Sequence, residues 1–217
     1  MNTTSDTNIY LSRLIERQPI LESCKNDIEN AFELLHRAFQ NGNKLLICGN
    51  GGSCSDAAHI AGELMKGFMS KRPLPQKIKQ RLNEADPEHG STMADLLQGT
   101  LPTVALSGND PLASAISNDI SGELVYAQQV LGLGREGDIL LAISTSGTSK
   151  NVCRAVSVAH ALNIQTIGLT GSHGGWLAKQ CNCSITVPAD TTPNIQELHL
   201  PIYHCLCIML EDAFFAD

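Results

Sequence analysis

Positive charge is in short supply in this sequence. Fifteen Lys and Arg stand against 22 Asp and Glu, for a net charge of −7. No broad basic field exists to collect phosphates, which excludes extended nucleic-acid and anionic-membrane binding; an anionic small substrate must be held by local donors. None of the eight cysteines forms a C-x-x-C pair. The two C-x-C pairs, Cys181/Cys183 and Cys205/Cys207, lack the usual zinc spacing. With Cys24, Cys48, Cys54 and Cys153 they read as reduced, mostly buried small hydrophobes of a cytosolic protein. The start, "MNTTSDTNIYLSRLIERQ", has no basic stretch leading into an apolar run, so no secretory signal is visible. No apolar run approaches the ~20 residues that span a bilayer. Aromatics are sparse at 4%, while apolar residues reach 42%, near the globular norm, and 217 residues can bury a sizeable core.

What is present is an alternation. Residues 6–41 read as a helical segment: Ile9, Leu11, Leu14 and Ile15 make one apolar patch, and Ile28, Phe32, Leu35 and Phe39 recur at helical spacing beyond Pro19. "NGN" at 41–43 stops it, and "KLLICG" (44–49) reads as a buried strand before a helix over about 53–69. Residues 71–100 are charged and proline-bearing, with helical patches near 77–84 and 92–98, and read as an insertion or lid. Strands are then expected at 101–108, 137–147, 165–171 and 183–189. The helices between them fall near 110–117, 120–134, 148–162 and 174–180, and a last helix covers 193–215. That order predicts an α/β fold: a doubly wound, mostly parallel five-stranded sheet with helices on both faces and long terminal helices, in one domain over 1–217.

Two turns sit where ligands of such sheets bind, between a strand's carboxyl end and the next helix. "GNGGS" (49–53) is no dinucleotide fingerprint, because the third glycine would fall at Cys54, and no G-K-[ST] follows to make a P-loop. "STSGTS" (144–149) has five hydroxyls in six positions, more than a helix cap needs. Both suit phosphate, since helix N-termini offer unpaired N–H groups and hydroxyls add donors. His59 and Glu63 share a helix face just beyond the first turn. An isolated H-x-x-x-E is more often a surface ion pair, but a rise of about 1.5 Å per residue lets both reach a ligand held there. Gln196, His199 and His204 share the last helix; Gln196 and His204 are about 80° apart, with His199 about 60° to the other side. An amide and two imidazoles on one face need partners or a ligand. Pro201 marks a bend within that helix.

Taken in order, "CGNGGS…DAAHIAGEL", "SND", "GREGDILLAISTSGTSKNV", "IGLTGSHGG" and "IQELHLPIYH" resemble the sugar isomerase (SIS) domain family, and within it the phosphoheptose isomerase branch. The resemblance covers nearly all of the chain outside about 71–100. It implies phosphate binding by Ser53, Ser144, Thr145, Ser146 and Ser149, and sugar contacts by Asn50 and Asp119. It also implies Glu63 as catalytic base, His204 as acid/base partner, and a zinc set of His59, Glu63, Gln196 and His204 found in some members. A homotetramer with sites shared between chains follows from the same likeness. Three departures stand out: Cys54 where the family often has histidine, Pro193 and Asn194 where it often has an acidic and a basic residue, and the 71–100 insert.

The implied reaction is a ketose–aldose isomerisation of a sugar phosphate, sedoheptulose 7-phosphate foremost. One group removes a proton beside a carbonyl and another shuttles a proton at the oxygens, roles that suit glutamate and histidine. Gln196 orients an oxygen, and a phosphate anchor fixes the reacting carbons. Zinc would act as a Lewis acid, although ligation would weaken Glu63 as a base. Other readings are a non-catalytic SIS scaffold that binds a replication-initiator protein, and an isomerase of another sugar phosphate. A pure scaffold has no need of His59, Glu63 and His204 together.

Overall fold

The computed structural model describes residues 4–216. Two helices open it, α1 (Thr4–Arg17) and α2 (Lys25–Gln40), with a 3₁₀ turn at Pro19–Cys24 between them. Proline fixes φ and lacks an N–H, so the break falls at Pro19. Leu11 and Leu14 are buried and Ile9 is exposed, whereas Ile28, Phe32, Leu35 and Phe39 all enter the core.

Strand β1 (Leu45–Gly49) feeds α3 (Gly52–Met65). The insert folds as α4 (Gln76–Ala85) and α5 (Gly90–Leu96), and its ends meet where Pro73 bridges Gln98. Then come β2 (Thr103–Ala105), α6 (Asp110–Ile116), a π turn at Ser117–Ser121, a 3₁₀ turn at Gly122–Leu124 and α7 (Val125–Leu133). The chain ends with β3 (Ile139–Ile143), α8 (Lys150–Ala161), β4 (Gln165–Thr170), α9 (Leu177–Gln180), β5 (Cys183–Thr186) and α10 (Thr192–Phe215). The sheet order is β2-β1-β3-β4-β5, and every pairing is parallel.

Alternation along the buried strands divides the core in two. Leu45 and Ile47 of β1 and Ile139, Leu141 and Ile143 of β3 face α2, α3 and α10. Leu46, Cys48, Leu140 and Ala142 face α7 and α8. The period of two in strands sends neighbours to opposite faces, which is why continuous apolar runs suit central strands of a doubly covered sheet. The expected strands at 101–108 and 183–189 are shorter, because β2 and β5 lie at the sheet edges, each with one neighbour to pair with.

One expectation changes. Helix α10 is long and apolar enough to cross a membrane by length and composition, although no uninterrupted apolar run is. Half of its most apolar window is buried, and the helix packs on α1, α2 and α3. It also runs unbroken through Pro201. All eight cysteines are free, and burial pushes the thiols of Cys181 and Cys183 up to about 11.

Candidate active site

The two strand-end turns and the face of α10 between them carry the polar groups. At the first turn, Ser53 is buried and its N–H donates to the Asn50 carbonyl at 3.0 Å. The Tyr126 hydroxyl holds the Gly49 carbonyl from below. Asn50 and Asn151 exchange side-chain hydrogen bonds, 2.8 Å each way, and so tie this turn to the start of α8. Gly52 is needed for a close approach: a Cβ there would lie 2.9 Å from Cδ of Gln196. The Gln196 amide thus sits over the N-terminus of α3.

At the second turn, the Ser144 hydroxyl lies 3.0 Å from that of Ser149 and 3.5 Å from that of Ser146. Thr148 donates its N–H (3.3 Å) and hydroxyl (3.1 Å) to Ser146. Gly147 has φ +64°, and a side chain there would strike the Gly174 carbonyl. The "GSHGG" segment packs under the turn, and the Gly171 N–H donates to the Thr145 carbonyl at 3.0 Å. The sequence groups hydroxyls here, and the glycines let two backbone turns touch.

The third group joins α3 and α10. His59 Nε2 lies 3.3 Å from Glu63 Oε1 and 3.4 Å from His204 Nε2. Lys66 Nζ donates to Glu63 Oε2 at 2.8 Å. His59 Nδ1 is 3.1 Å from the Tyr203 hydroxyl, which donates to Asp56 Oδ1 at 3.2 Å. The rings of His59, Tyr203 and His204 pack edge to face in pairs, with centroids 5.0–5.5 Å apart, and Phe68 leans on His204. Burial lowers the His204 pKa, His59 lowers it further, and Glu63 opposes both. A neutral imidazole at physiological pH can both give and take a proton.

Of the expected residues, His59, Glu63 and His204 come together, as do Ser144, Ser146 and Ser149. Asp119 does not join them: it lies exposed on the π turn and accepts from Asn118 at 2.8 Å. His199 is fully buried and sits beneath the face, its Nε2 against the Thr170 carbonyl at 3.3 Å. Of the four expected zinc ligands, His59, Glu63 and His204 converge, with His59 Nε2 3.3 Å from Glu63 Oε1 and 3.4 Å from His204 Nε2. Glu63 is engaged by His59 and Lys66, and Gln196 lies over Gly52. Among the described residues, no group of three or more His, Cys, Asp and Glu is placed to hold a metal ion. A groove of about 990 Å³ along α1, residues 69–75 and α10 reaches His204, but neither turn lines it.

Sequence reasoning passed over four participants. Tyr203 reads as one more apolar helix position, and Asp56 as a surface carboxylate. The third and fourth, Arg72 and Glu211, form a buried ion pair at 2.8 Å beneath the site. Asp56 lies one helical turn before His59, the one signal that pointed to it.

The SIS domain pattern matches residues 10–99 and 90–171 of the sequence, and the chain belongs to the SIS domain family. Within that family its relatives are phosphoheptose isomerases. That of Geotalea daltonii is 38% identical over 210 residues, covering 95% of this chain and 96% of its own. That of Thiobacillus denitrificans is 41% identical over 183 residues, covering 83% and 80%. The structure of phosphoheptose isomerase from Neisseria gonorrhoeae superposes with a TM-score of 0.73 at 31% identity, covering 94% and 96%. That from Francisella tularensis gives 0.72 at 32% identity, covering 98% and 100%.

Proposed function

We propose that the chain isomerises sedoheptulose 7-phosphate to a D-glycero-D-manno-heptose 7-phosphate. The coarser statement is firm: this is an isomerase whose substrate class is a sugar phosphate, as its relatives' names and its full-length likeness to them support. The observation that carries the mechanism is the convergence of Glu63 and His204 on His59 between two phosphate-grade turns.

The hydroxyls of Ser144, Ser146 and Ser149, with Thr145 and Ser53, hold the phosphate. Anchoring the far end fixes the reacting carbons without taking part in the chemistry. Glu63 removes the proton beside the carbonyl and returns it to the neighbouring carbon through a cis-enediol. His204 moves the proton between the two oxygens. Gln196 and Asn50, at the first turn, orient those oxygens, and Asp119 reaches the sugar only if its π turn moves inward. No step is assigned to zinc, because Glu63 is engaged by Lys66 and His59 as it stands. We place the enzyme in the cytoplasm as a homotetramer whose subunits complete one another's sites; its eight free thiols suit a reducing compartment.

The test is turnover of sedoheptulose 7-phosphate by the purified protein, beside other ketose phosphates, with and without a chelator. Turnover of the heptose alone is the expected result, unchanged by chelation. Turnover of a different ketose phosphate would overturn the substrate, and loss on chelation would restore the metal. Binding of a sugar phosphate with no turnover would make the chain the scaffold of its family.

A further inference from the structure

We propose that Asn151 of α8 is a positioning residue that sets the direction of the Asn50 amide and keeps the Ser149 hydroxyl available to phosphate. This rests on the reading of Asn50 as a contact to the substrate oxygens and of Ser149 as a contact to its phosphate. Strands β1 and β3 pair in register, Gly49 beside Ile143, so their two turns leave the sheet side by side. Asn50 stands in the first of these turns, and Asn151 opens the helix that follows the second. An asparagine amide has two hydrogens to give and one oxygen with two lone pairs. Asn151 Oδ1 accepts from the Val152 N–H at 3.0 Å and from Asn50 Nδ2 at 2.8 Å, which uses both lone pairs. Asn151 Nδ2 in turn donates to Asn50 Oδ1 at 2.8 Å.

The backbone decides which way round the pair stands. Turned over, the Asn151 amide would set its NH2 group against the Val152 N–H, two donors face to face, and the Asn50 amide would have to turn over with it. Asn50 is therefore held with one N–H committed to Asn151 and the other left to give to a substrate oxygen. The same Val152 N–H accounts for Ser149. It belongs to the opening N–H groups of α8 that have no helical partner, and a serine at the N-cap usually accepts one of them. Ser149 makes no such bond; its hydroxyl lies 3.0 Å from that of Ser144. Asn151 takes the N–H in its place and so leaves the Ser149 hydroxyl to the phosphate turn. One side chain thus couples the sugar end of the site to its phosphate end.

The test is a double-mutant cycle in the full-length protein with sedoheptulose 7-phosphate. Asn151→Ala should lower kcat about tenfold, one hydrogen bond's worth, and Asn50→Ala by about as much. Because both act through one amide, the losses should not add: the double variant should keep the kcat of Asn50→Ala alone to within about twofold. Asn151→Ala should also raise KM about fivefold, as Ser149 turns to cap α8, and in a Ser149→Ala background that rise should vanish. Asn151→Asp keeps an acceptor for Val152 but has no hydrogen for Asn50; its melting temperature should match the wild type while kcat falls as in Asn151→Ala. Losses in kcat that multiply in the double variant, or an Asn151→Ala kcat within about twofold of wild type, would overturn the proposal. Side-chain amide 1H–15N spectra need no turnover: Asn50 should exchange its amide hydrogens with solvent more slowly in the wild type than in Asn151→Ala. That difference in a protein with no turnover sinks the proposed function alone, and multiplying losses in an active one sink this inference alone.

Discussion

At one end of the contact between α3 and α10, Glu211 is 3% exposed and accepts from the N–H groups of Phe68 (2.7 Å), Met69 (2.7 Å) and Ser70 (3.2 Å) and from Arg72 Nε (2.8 Å). At the other end, Glu63 meets His59 and a lysine that is itself largely in solvent. Burial alone would raise the Glu211 pKa, but the Phe68 and Met69 amides and the Arg72 guanidinium outweigh it and hold the carboxyl below its ordinary value. Every donor around Glu211 is backbone or a fully buried arginine, so its charge is fixed. Every donor around Glu63 is a side chain that can move or lose a proton. Arg72 joins the two ends, because its guanidinium also caps α3 by donating to the carbonyls of Leu64 (2.8 Å) and of Glu63 itself (3.0 Å). The fixed pair grips the backbone of the residue whose side chain must stay free to react.

The sharpest way to break this comparison is Glu63→Gln. It keeps the shape and removes the base, so kcat should fall about 10²–10⁴-fold. The melting temperature should stay within a degree or two, since no buried charge is left unpaired. A variant that unfolds early would mean that Glu63 belongs with Glu211 as a structural carboxylate. An unchanged kcat would remove it from the mechanism.

Arg72→Met is the mirror experiment. It strands the Glu211 carboxylate without its cation, which costs about 3–5 kcal/mol when one partner of a buried pair is removed. In a chain of this size that lowers the melting temperature by about 10 °C. The double change Arg72→Met with Glu211→Leu removes both charges and should recover most of the loss. If the double variant is as unstable as the single one, the three backbone amides, now bare, and not the charge pair, are what Glu211 serves.

The contrast also separates what the sequence made legible from what it hid. The sheet, the two turns and the His59/Glu63 pair could be read, because periodicity, glycine turns and helical spacing are local signals. The Arg72–Glu211 pair could not. Its members are 139 positions apart, and Arg72 opens a stretch whose composition reads as solvated, yet it is fully buried. The Asp56–Tyr203–His59 chain was hidden for the same reason: α3 and α10 meet only in three dimensions. Asp119 is the opposite case. Its motif is local and readable, but the turn that carries it leaves it outside the cluster formed by this one chain.

His199 tests a third kind of polar group, buried and uncharged. Burial drives its pKa down to about 4, against a weaker upward pull from the Thr170 carbonyl, and Nδ1 has no partner. The unfolded chain takes up this proton near pH 6.5, and the folded one does so only near pH 4. Between those values the unfolded state binds more protons, so stability falls as pH falls. From pH 8 to pH 5 this residue accounts for about 2 kcal/mol of lost stability. His199→Gln should flatten the dependence of unfolding free energy on pH by nearly one proton across that window. An unaltered slope in denaturant titrations at several pH values would show that the imidazole is not the group being charged.

The smallest effect is expected at the second turn. Ser146 is exposed, and its hydroxyl is shared with Thr148 and Ser144. A bond from it to phosphate is the same in ground and transition states, so Ser146→Ala should raise KM about tenfold while leaving kcat nearly unchanged. Ser144 is buried and bonded to Ser149, so its replacement should cost stability as well as affinity. The pair of variants therefore repeats, within one loop, the division seen between Glu63 and Glu211. The exposed group should move only a binding constant, and the buried one should move the fold with it. If Ser146→Ala lowers kcat and KM stays put, the turn is part of the chemistry, and the phosphate must be anchored elsewhere.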